Sequence, residues 1–438
     1  MSALSVLSLS NSVIVIMNIR LTTSFLGILA LILTYSDGFS QTGLAKIGNK
    51  AESKYTTQNH MDKTDSFIFK VNNSKLKIGG KPAIILSKAG QTDTTQAQIL
   101  NVCILPGRGM NVFQIQAWVP GLGIVNLLKS PTLEDAANIL NGGSADEFGN
   151  ASFDMGGAIL VPFVNVLRGK LLPDNKNLET LIAGHKVIFP ANFSAPKEGA
   201  EKHGMHGFLL NKIMDVVTTE ADNELASVTA SYNAGNFDGH WLSGTTLIIQ
   251  AVLNSEGFTL TVTAKNTGNS VLPIGIGWHP YFMIPGGMRA QAKLHLPSKL
   301  KVLDNNYDDV FPLGELVSVS STAYDFSDDV GAPLNNLHLD ECYTNLMRNS
   351  SDEAIVELID AAAKYKLRVT AVSPEIKAFE IFSPSDANNI AIEPQFNLPD
   401  PYNPIWEDTI NTNMVHLEPL DSVVYKVKVS LPPFADSP

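Results

Sequence analysis

The chain has 438 residues, of which 44 % are hydrophobic and 17 % charged, a composition typical of a globular protein with a large core. Its formal net charge at pH 7 is -12. Because an acidic chain repels phosphate backbones, we expect no nucleic-acid partner.

The first 40 residues have the order of a secretory signal peptide. From Met17, a possible true start, Arg20 is followed by the apolar run Phe25–Leu33 and then by small and polar residues. This run is too short to span a bilayer comfortably. We therefore expect cleavage before Gln41, a periplasmic or secreted protein, and no stable membrane anchoring. The competing interpretation is an uncleaved anchor that also uses Val13–Met17.

Export would place the two cysteines, Cys103 and Cys342, in an oxidising compartment where a disulfide is possible. The sequence does not show whether their Cα atoms come within bridging distance. A disulfide and two buried free thiols both remain open.

Residues 41–98 are polar and rich in Lys, Thr, Asn and Gln, and we interpret them as a linker and an N-terminal extension. Beyond them, over residues 99–434, short apolar runs recur between Gly, Asn, Asp and Pro residues. Thr259–Ala264 and Val424–Leu431 alternate apolar and polar residues, which is the periodicity of strands. The pattern predicts one all-β domain of many antiparallel strands, built as a sandwich or barrel.

Helices are expected to be few. The stretch "SPTLEDAANIL" predicts one, with Ser130 as its N-cap and Pro131 in its first turn. The absence of strands alternating with helices, and of a Gly-rich phosphate loop, argues against a nucleotide-binding α/β fold.

Three histidines and one glutamate are candidates for chemistry. His279 stands in "IGIGWHPYF", where Pro280 pushes it towards an extended backbone. His203 and His206 have the spacing H-x-x-H, but residues three apart on a strand face opposite sides, so we expect no metal site. Glu393 follows an apolar run, and a buried carboxylate there would have the raised pKa of a working general base. For each residue alone, a structural role is the competing interpretation.

Taken in order, five motifs resemble those of the aldose 1-epimerases, or galactose mutarotases: "PFVNVLRGKL", "KHGMHGFLL", "GWHPYF", "LDECYTNL" and "IEPQFNLPDPYN". The resemblance covers about residues 99–434. The version of the motif with Trp before His-Pro is similar to that of the bacterial branch of the family. It implies a large antiparallel β-sandwich (supersandwich) with an open sugar groove, in agreement with the strand periodicity. It also implies interconversion of the α and β anomers of a free aldohexose, a monosaccharide substrate and no cofactor.

The resemblance also implies residue roles. By motif position, Glu393 matches the family's general base and His279 its general acid. His206 matches a second histidine near the sugar ring oxygen, and Asp340 an acidic residue that holds sugar hydroxyls. Trp278 could supply an apolar wall for a sugar face or belong to the core, and the same holds for Tyr281.

One departure concerns the sugar contacts. The family has an Asn-Arg pair where this chain reads Asn165-Val166, and the arginine of that pair contacts sugar hydroxyls. Arg168 lies two residues further on, which is the same face of a strand. We expect that either Arg168 compensates or the sugar preference is changed.

Other functions remain open at this point. A carbohydrate-binding protein of this fold would not need both His279 and Glu393. A glycoside hydrolase would use two carboxylates, for which Asp340 and Glu393 are candidates. A hexose-6-phosphate epimerase would need a basic cluster to hold the phosphate, and none is visible. The sequence does not distinguish a monomer from a dimer.

Overall fold

Antiparallel strands dominate the structure. The computed structural model describes residues 8–9, 12–13, 68–89, 93–305 and 309–434. The predicted signal run and cleavage site lie outside these residues, so export remains a prediction. In the described part, no helix is both long and apolar enough to cross a membrane.

The described residues contain thirty strands and one α-helix, α1 (Leu133–Ile139). In chain order the strands are β1 (Ser8–Leu9), β2 (Ser12–Val13), β3 (Phe69–Ile78), β4 (Lys81–Lys88), β5 (Gln98–Leu105), β6 (Asn111–Val119), β7 (Gly123–Asn126), β8 (Gly157–Leu160), β9 (Val166–Leu167), β10 (Lys170–Leu171), β11 (Asn177–Ile182), β12 (His185–Pro190), β13 (Gly204–Met205), β14 (Val216–Ala221), β15 (Leu225–Gly235), β16 (Thr245–Asn254), β17 (Gly257–Asn266), β18 (Leu272–Ile274), β19 (Gly277–Met283), β20 (Lys293–His295), β21 (Leu300–Asp304), β22 (Pro312–Ser318), β23 (Ala332–Pro333), β24 (Leu339–Thr344), β25 (Ala354–Asp360), β26 (Tyr365–Ala371), β27 (Ala378–Ser383), β28 (Asn389–Gln395), β29 (Val415–Leu417) and β30 (Ser422–Ser430). Short 3₁₀ turns occur at Asn150–Asp154 and Arg289–Gln291.

Two large antiparallel sheets form the body of the fold. The larger runs β22-β21-β24-β27-β28-β19-β8-β6-β5-β4-β3, with β7 also paired to β6. The other runs β14-β15-β16-β17-β30-β26-β25-β20-β23. One hydrophobic cluster contains side chains of both sheets, for example Ile115 and Ile392 from the first and Val262 and Tyr425 from the second. The predicted all-β sandwich is therefore confirmed.

The start of the folded domain differs from the prediction. Strands β3 and β4 lie before residue 99, pair with each other, and join the larger sheet through β5. Their hairpin turns at Gly79 and Gly80, which both have positive φ, and Ile84 and Leu86 enter the main core. The outward positions of these strands are largely polar, which made the segment resemble an extension. Its remaining part, residues 41–67, lies outside the described residues.

The predicted helix exists but begins later than expected. Thr132, not Ser130, is the N-cap of α1, and its side chain accepts a hydrogen bond from the Asp135 backbone N–H. The Ser130 hydroxyl instead accepts a hydrogen bond from the Asn126 amide at 2.7 Å. Pro131 therefore precedes the N-cap.

Both cysteines are buried free thiols. Cys103 lies in a small hydrophobic cluster with Phe113 and Leu140, whereas Cys342 lies in another with Val302 and Trp406. The structure therefore has two buried free thiols and no disulfide between Cys103 and Cys342.

Candidate active site

Four neighbouring strands of the larger sheet, β24, β27, β28 and β19, place polar side chains on one face. The pairing puts Glu380 directly opposite Glu393, and Asp340 opposite Phe382. The register that pairs Gly277 with Gln395 and Tyr281 with Ala391 also puts His279 opposite Glu393.

The alternate residues of the same strands face the core. Trp278 and Phe282 of β19, Phe379 of β27 and Ile392 of β28 all belong to the main hydrophobic cluster. Successive side chains of a strand point to opposite faces, so the polar set lies on the side of the sheet away from that core.

Loop segments cover this polar face and add His206 and Asn165. Both residues have left-handed backbones, with φ of 59° and 58°, and the His206 N–H donates to the Asn165 carbonyl at 3.0 Å. Gly207 follows with φ of 73°, and a Cβ there would come within 2.2 Å of the Val161 carbonyl oxygen. Only glycine fits this turn, which fixes the position of His206.

These elements enclose a cavity of about 330 Å³, large enough for a small polar molecule. Its lining residues are Phe153, Asp154, Asn165, Phe193, Met205, His206, His279, Tyr281, Asp309, Val310, Asp340, Glu380, Phe382 and Glu393.

The imidazole of His279 contacts the carboxyl group of Glu393 in the cavity wall. His279 Nε2 lies 3.1 Å from Glu393 Oε1, and the two side chains are 7 % and 2 % exposed. Burial raises the pKa of Glu393 well above its ordinary value, and the Glu380 and Asp340 carboxylates raise it further. Burial lowers the pKa of His279 to about 4. Burial therefore disfavours the ionised form of both groups.

Two further carboxyl groups share the cavity. Burial raises the pKa of Glu380 well above its ordinary value, and Asp340 adds to this as a neighbouring negative charge. Burial is the main cause that raises the pKa of Asp340 to about 8, and the neighbouring carboxylates of Glu341 and Asp304 raise it further. Asp340 is surrounded by protein but keeps some surface towards the cavity.

Rings form an apolar wall along one side. The His206 ring centroid lies 5.0 Å from those of Phe153 and His279, with edge-to-face geometry in both cases. Tyr281 continues the series, 4.9 Å from His279 and 6.1 Å from Phe382. Such a wall suits the C–H face of a sugar, while the carboxyl and imidazole groups suit its hydroxyls.

Trp278 does not line the cavity, which corrects its assignment to substrate binding. It is fully buried, and its indole N–H donates to the Gly157 carbonyl at 3.0 Å. The residue adjacent to His279 on a strand must face the other way. Trp278 is therefore a core residue.

Arg168 is also outside the cavity lining, which corrects its expected role in sugar contact. Its guanidinium donates two hydrogen bonds of 2.8 Å to the Glu201 carboxylate and lies 4.4 Å from the Phe311 ring centroid. Val166 is buried and, like Arg168, is not among the residues that line the cavity.

His203 and His206 have different surroundings. His203 is buried against the rings of Phe193 and Phe311, and its Nδ1 contacts the Glu201 carbonyl at 3.1 Å. Among the described residues, no group of three or more His, Cys, Asp or Glu side chains is placed to hold a metal ion.

Sequence reasoning missed Glu380 and Phe382. Both lie on β27 in "AFEIFS", where Glu380 stands between the core residues Phe379 and Ile381. A glutamate flanked by large apolar residues on a strand is a buried carboxyl if the strand is covered on both faces. The covering loops were not visible from the sequence.

The fold and this cavity define a β-sandwich protein with a buried carboxylate–imidazole pair at the wall of a polar site. A family model described as Aldose 1-epimerase matches residues 128–419. The chain belongs to the aldose 1-epimerase family. Curated proteins provide no match to it.

Solved structures show the same fold. A galactose mutarotase-like protein from Clostridium acetobutylicum is 16 % identical, with a TM-score of 0.65 over 83 % of this chain and 99 % of that one. An aldose epimerase homologue from C. elegans is 15 % identical, with a TM-score of 0.57 over 77 % of this chain and 97 % of that one. Galactose 1-epimerase from Lactobacillus acidophilus is 14 % identical, with a TM-score of 0.56 over 83 % of this chain and 99 % of that one. At such identities the likeness concerns the fold alone.

Proposed function

We propose that the protein is an aldose 1-epimerase, which interconverts the α and β anomers of a free aldose. The observation that carries the proposal is the buried contact between His279 Nε2 and Glu393 Oε1 at the wall of a sugar-sized cavity. Ring opening needs one proton removed from the C1 hydroxyl and one delivered to the ring oxygen. No group is transferred and no electrons move, so two side chains suffice.

The roles follow from the chemistry of the two groups. With the sugar bound, Glu393 as carboxylate accepts the C1 hydroxyl proton, while the protonated His279 donates to the ring oxygen. The C1–O5 bond breaks as the C1 carbonyl forms. Rotation about C1–C2 presents the other face of the carbonyl, and closure returns both protons. The reactive pair carries its proton on His279, whereas burial favours the neutral form of both groups, with the proton on Glu393. The bound sugar must therefore stabilise the ionised pair.

Other cavity groups can hold the sugar. Nδ1 of His206, Oε1 of Glu380 and Oε2 of Glu393 are buried and have no hydrogen-bond partner among the described residues. Buried polar atoms without partners are costly, and sugar hydroxyls would satisfy them. Asn165 donates to Glu380 Oε2 at 3.0 Å and thereby fixes that carboxyl group.

The experiment is polarimetry on freshly dissolved α-glucose and α-galactose. We expect the wild-type protein to accelerate the approach to anomeric equilibrium for at least one of them. The same preparation is assayed on aryl glycosides, because Glu380 and Glu393 are also two neighbouring carboxyl groups. Glycoside cleavage without mutarotation would overturn the proposal in favour of a hydrolase.

The pH dependence should show a plateau rather than a decline through pH 6–7. Burial lowers the pKa of His279 to about 4 and raises that of Glu393, so the acid limb should lie near pH 4 and the alkaline limb above the ordinary range of a glutamate. We expect kcat/KM to fall on the acid limb, as a second proton is added, and on the alkaline limb, as the last one is lost. A decline centred near pH 6.5 would instead show a histidine that titrates as if exposed.

Arg168→Ala should leave the sugar affinity nearly unchanged. Arg168 pairs with Glu201 outside the cavity, and a partly exposed pair of this kind contributes at most about 1 kcal/mol to stability. We expect KM to stay within about twofold of wild type, as for surface substitutions generally. Initial-rate polarimetry over a range of sugar concentrations measures it, and a tenfold rise in KM would restore Arg168 to the binding site.

A further inference from the structure

The cavity is lined by many carboxyl groups. Among its described lining residues, five carry carboxyl groups and none is Lys or Arg: Asp154, Asp309, Asp340, Glu380 and Glu393. The residue after the lining residue Asn165 is the buried and uncharged Val166. A cavity with several carboxyl groups and no lining cation favours a cationic ligand over an anionic one.

The nearby cations contact other groups than Asp340, Glu380 and Glu393. Lys197 pairs with Asp309 at 2.8 Å, Arg168 pairs with Glu201, and the Lys129 ammonium lies 5.2 Å above the Tyr281 ring centroid. In the described part of the chain, no Lys or Arg forms an ion pair with Asp340, Glu380 or Glu393.

Glu380 lies between two other carboxyl groups of the cavity. It lies opposite Glu393 across the β27–β28 pair and diagonally beside Asp340 across β24–β27. Glu380 is 3 % exposed, and its Oε1 has no partner among the described residues. Asn165 donates to the other oxygen, Oε2, at 3.0 Å, so the carboxyl group is only partly satisfied. Burial of such a group is costly, and a positively charged ligand would compensate that cost.

An organic cation fits better than a metal ion, since no described group of His, Cys, Asp and Glu side chains has metal-binding geometry. We propose that the preferred substrate is an aldose with a protonated amine, held by Glu380 and Asp340 while its anomeric end meets Glu393 and His279. An ammonium group has three donors for these carboxyl oxygens, and its positive charge would lower the raised pKa values of both groups, so that they bind it as carboxylates. A phosphate or carboxylate on the sugar would find no Lys or Arg among the described lining residues. This inference rests on the proposed function and narrows its substrate class.

Calorimetric titration of wild-type protein tests the inference directly. The sugars are glucosamine, glucose, N-acetylglucosamine and glucose 6-phosphate, each equilibrated between its anomers before titration. We expect glucosamine to bind at least about 10-fold more tightly than glucose at pH 7, because charge-assisted hydrogen bonds exceed neutral ones. N-acetylglucosamine keeps the substituent without the charge and should lose this advantage. Glucose 6-phosphate should bind most weakly.

A pair of matched variants locates the effect. Glu380→Gln keeps the shape of the side chain and an acceptor for Asn165 but removes the charge, so it should lower the glucosamine-to-glucose affinity ratio at least about 10-fold. Glu201→Gln removes a carboxylate outside the cavity and should leave the ratio unchanged. Circular dichroism confirms folding of both, and the wild-type series stands alone if Glu380→Gln does not fold.

The outcomes separate the two proposals. Equal affinity for glucosamine and glucose, or equal affinity for glucosamine and N-acetylglucosamine, would overturn the inference. If glucose is nevertheless mutarotated, the proposed function stands without it. Preferential binding of glucosamine with no mutarotation of any tested aldose would support the recognition of the amine and overturn the proposed reaction.

Discussion

Glu393→Gln and His279→Asn should each lower the turnover of mutarotation by about 10²–10⁴-fold, the contribution of a positioned general acid or base. Gln at 393 keeps the shape and polarity of the side chain but cannot accept the C1 proton. Asn at 279 keeps a polar group but has no transferable proton. Turnover is measured by polarimetry at saturating sugar.

The controls distinguish chemistry from folding. Both groups act on one sugar, so the double variant should be little slower than the slower single variant. Glu201→Gln, an isosteric change outside the cavity, should keep wild-type turnover. Near-normal mutarotation by Glu393→Gln would remove the assignment of the base, and the carbohydrate-binding interpretation would then be favoured.

Trp278→Ala should destabilise the protein by about 3–5 kcal/mol, the usual cost of truncating a buried tryptophan. The indole is fully buried in the core, where its ring centroid lies 6.0 Å from those of Phe258 and Phe282. The truncation leaves a large cavity and an unpaired Gly157 carbonyl. Chemical denaturation followed by circular dichroism measures the loss.

Trp278→Phe is the comparison variant for this prediction. It retains most of the apolar contact but loses the hydrogen bond to Gly157, so its loss should be nearer to about 1–2 kcal/mol. If Trp278→Ala raised KM strongly while stability stayed at the wild-type value, Trp278 would contact the sugar after all.

The strand pattern could be predicted from the sequence because one face of most strands is buried. Alternation at Thr259–Ala264 corresponds to β17, whose Leu260, Val262 and Ala264 are all buried. The alternation in β3 is weaker, since few of its residues enter the core, and the domain was therefore predicted to begin too late.

The cavity could be predicted only in part. His206, His279, Asp340, Glu393 and Asn165 all line it. Strand alternation separates Trp278 from His279, because adjacent residues of a strand face opposite sides of the sheet. For Arg168, the deciding partner is Glu201, 33 residues away in the chain, and no local pattern could reveal that pairing.

The larger sheet ends at β3, whose backbone, in the described part of the chain, pairs with β4 alone within that sheet. An unpaired strand edge is a template on which another polypeptide can add a strand, the first step of edge-to-edge aggregation. In β3, Lys75 and Lys77 are exposed along this edge. Two such edges brought together would juxtapose like charges, so we expect these lysines to disfavour the pairing of one β3 edge with another.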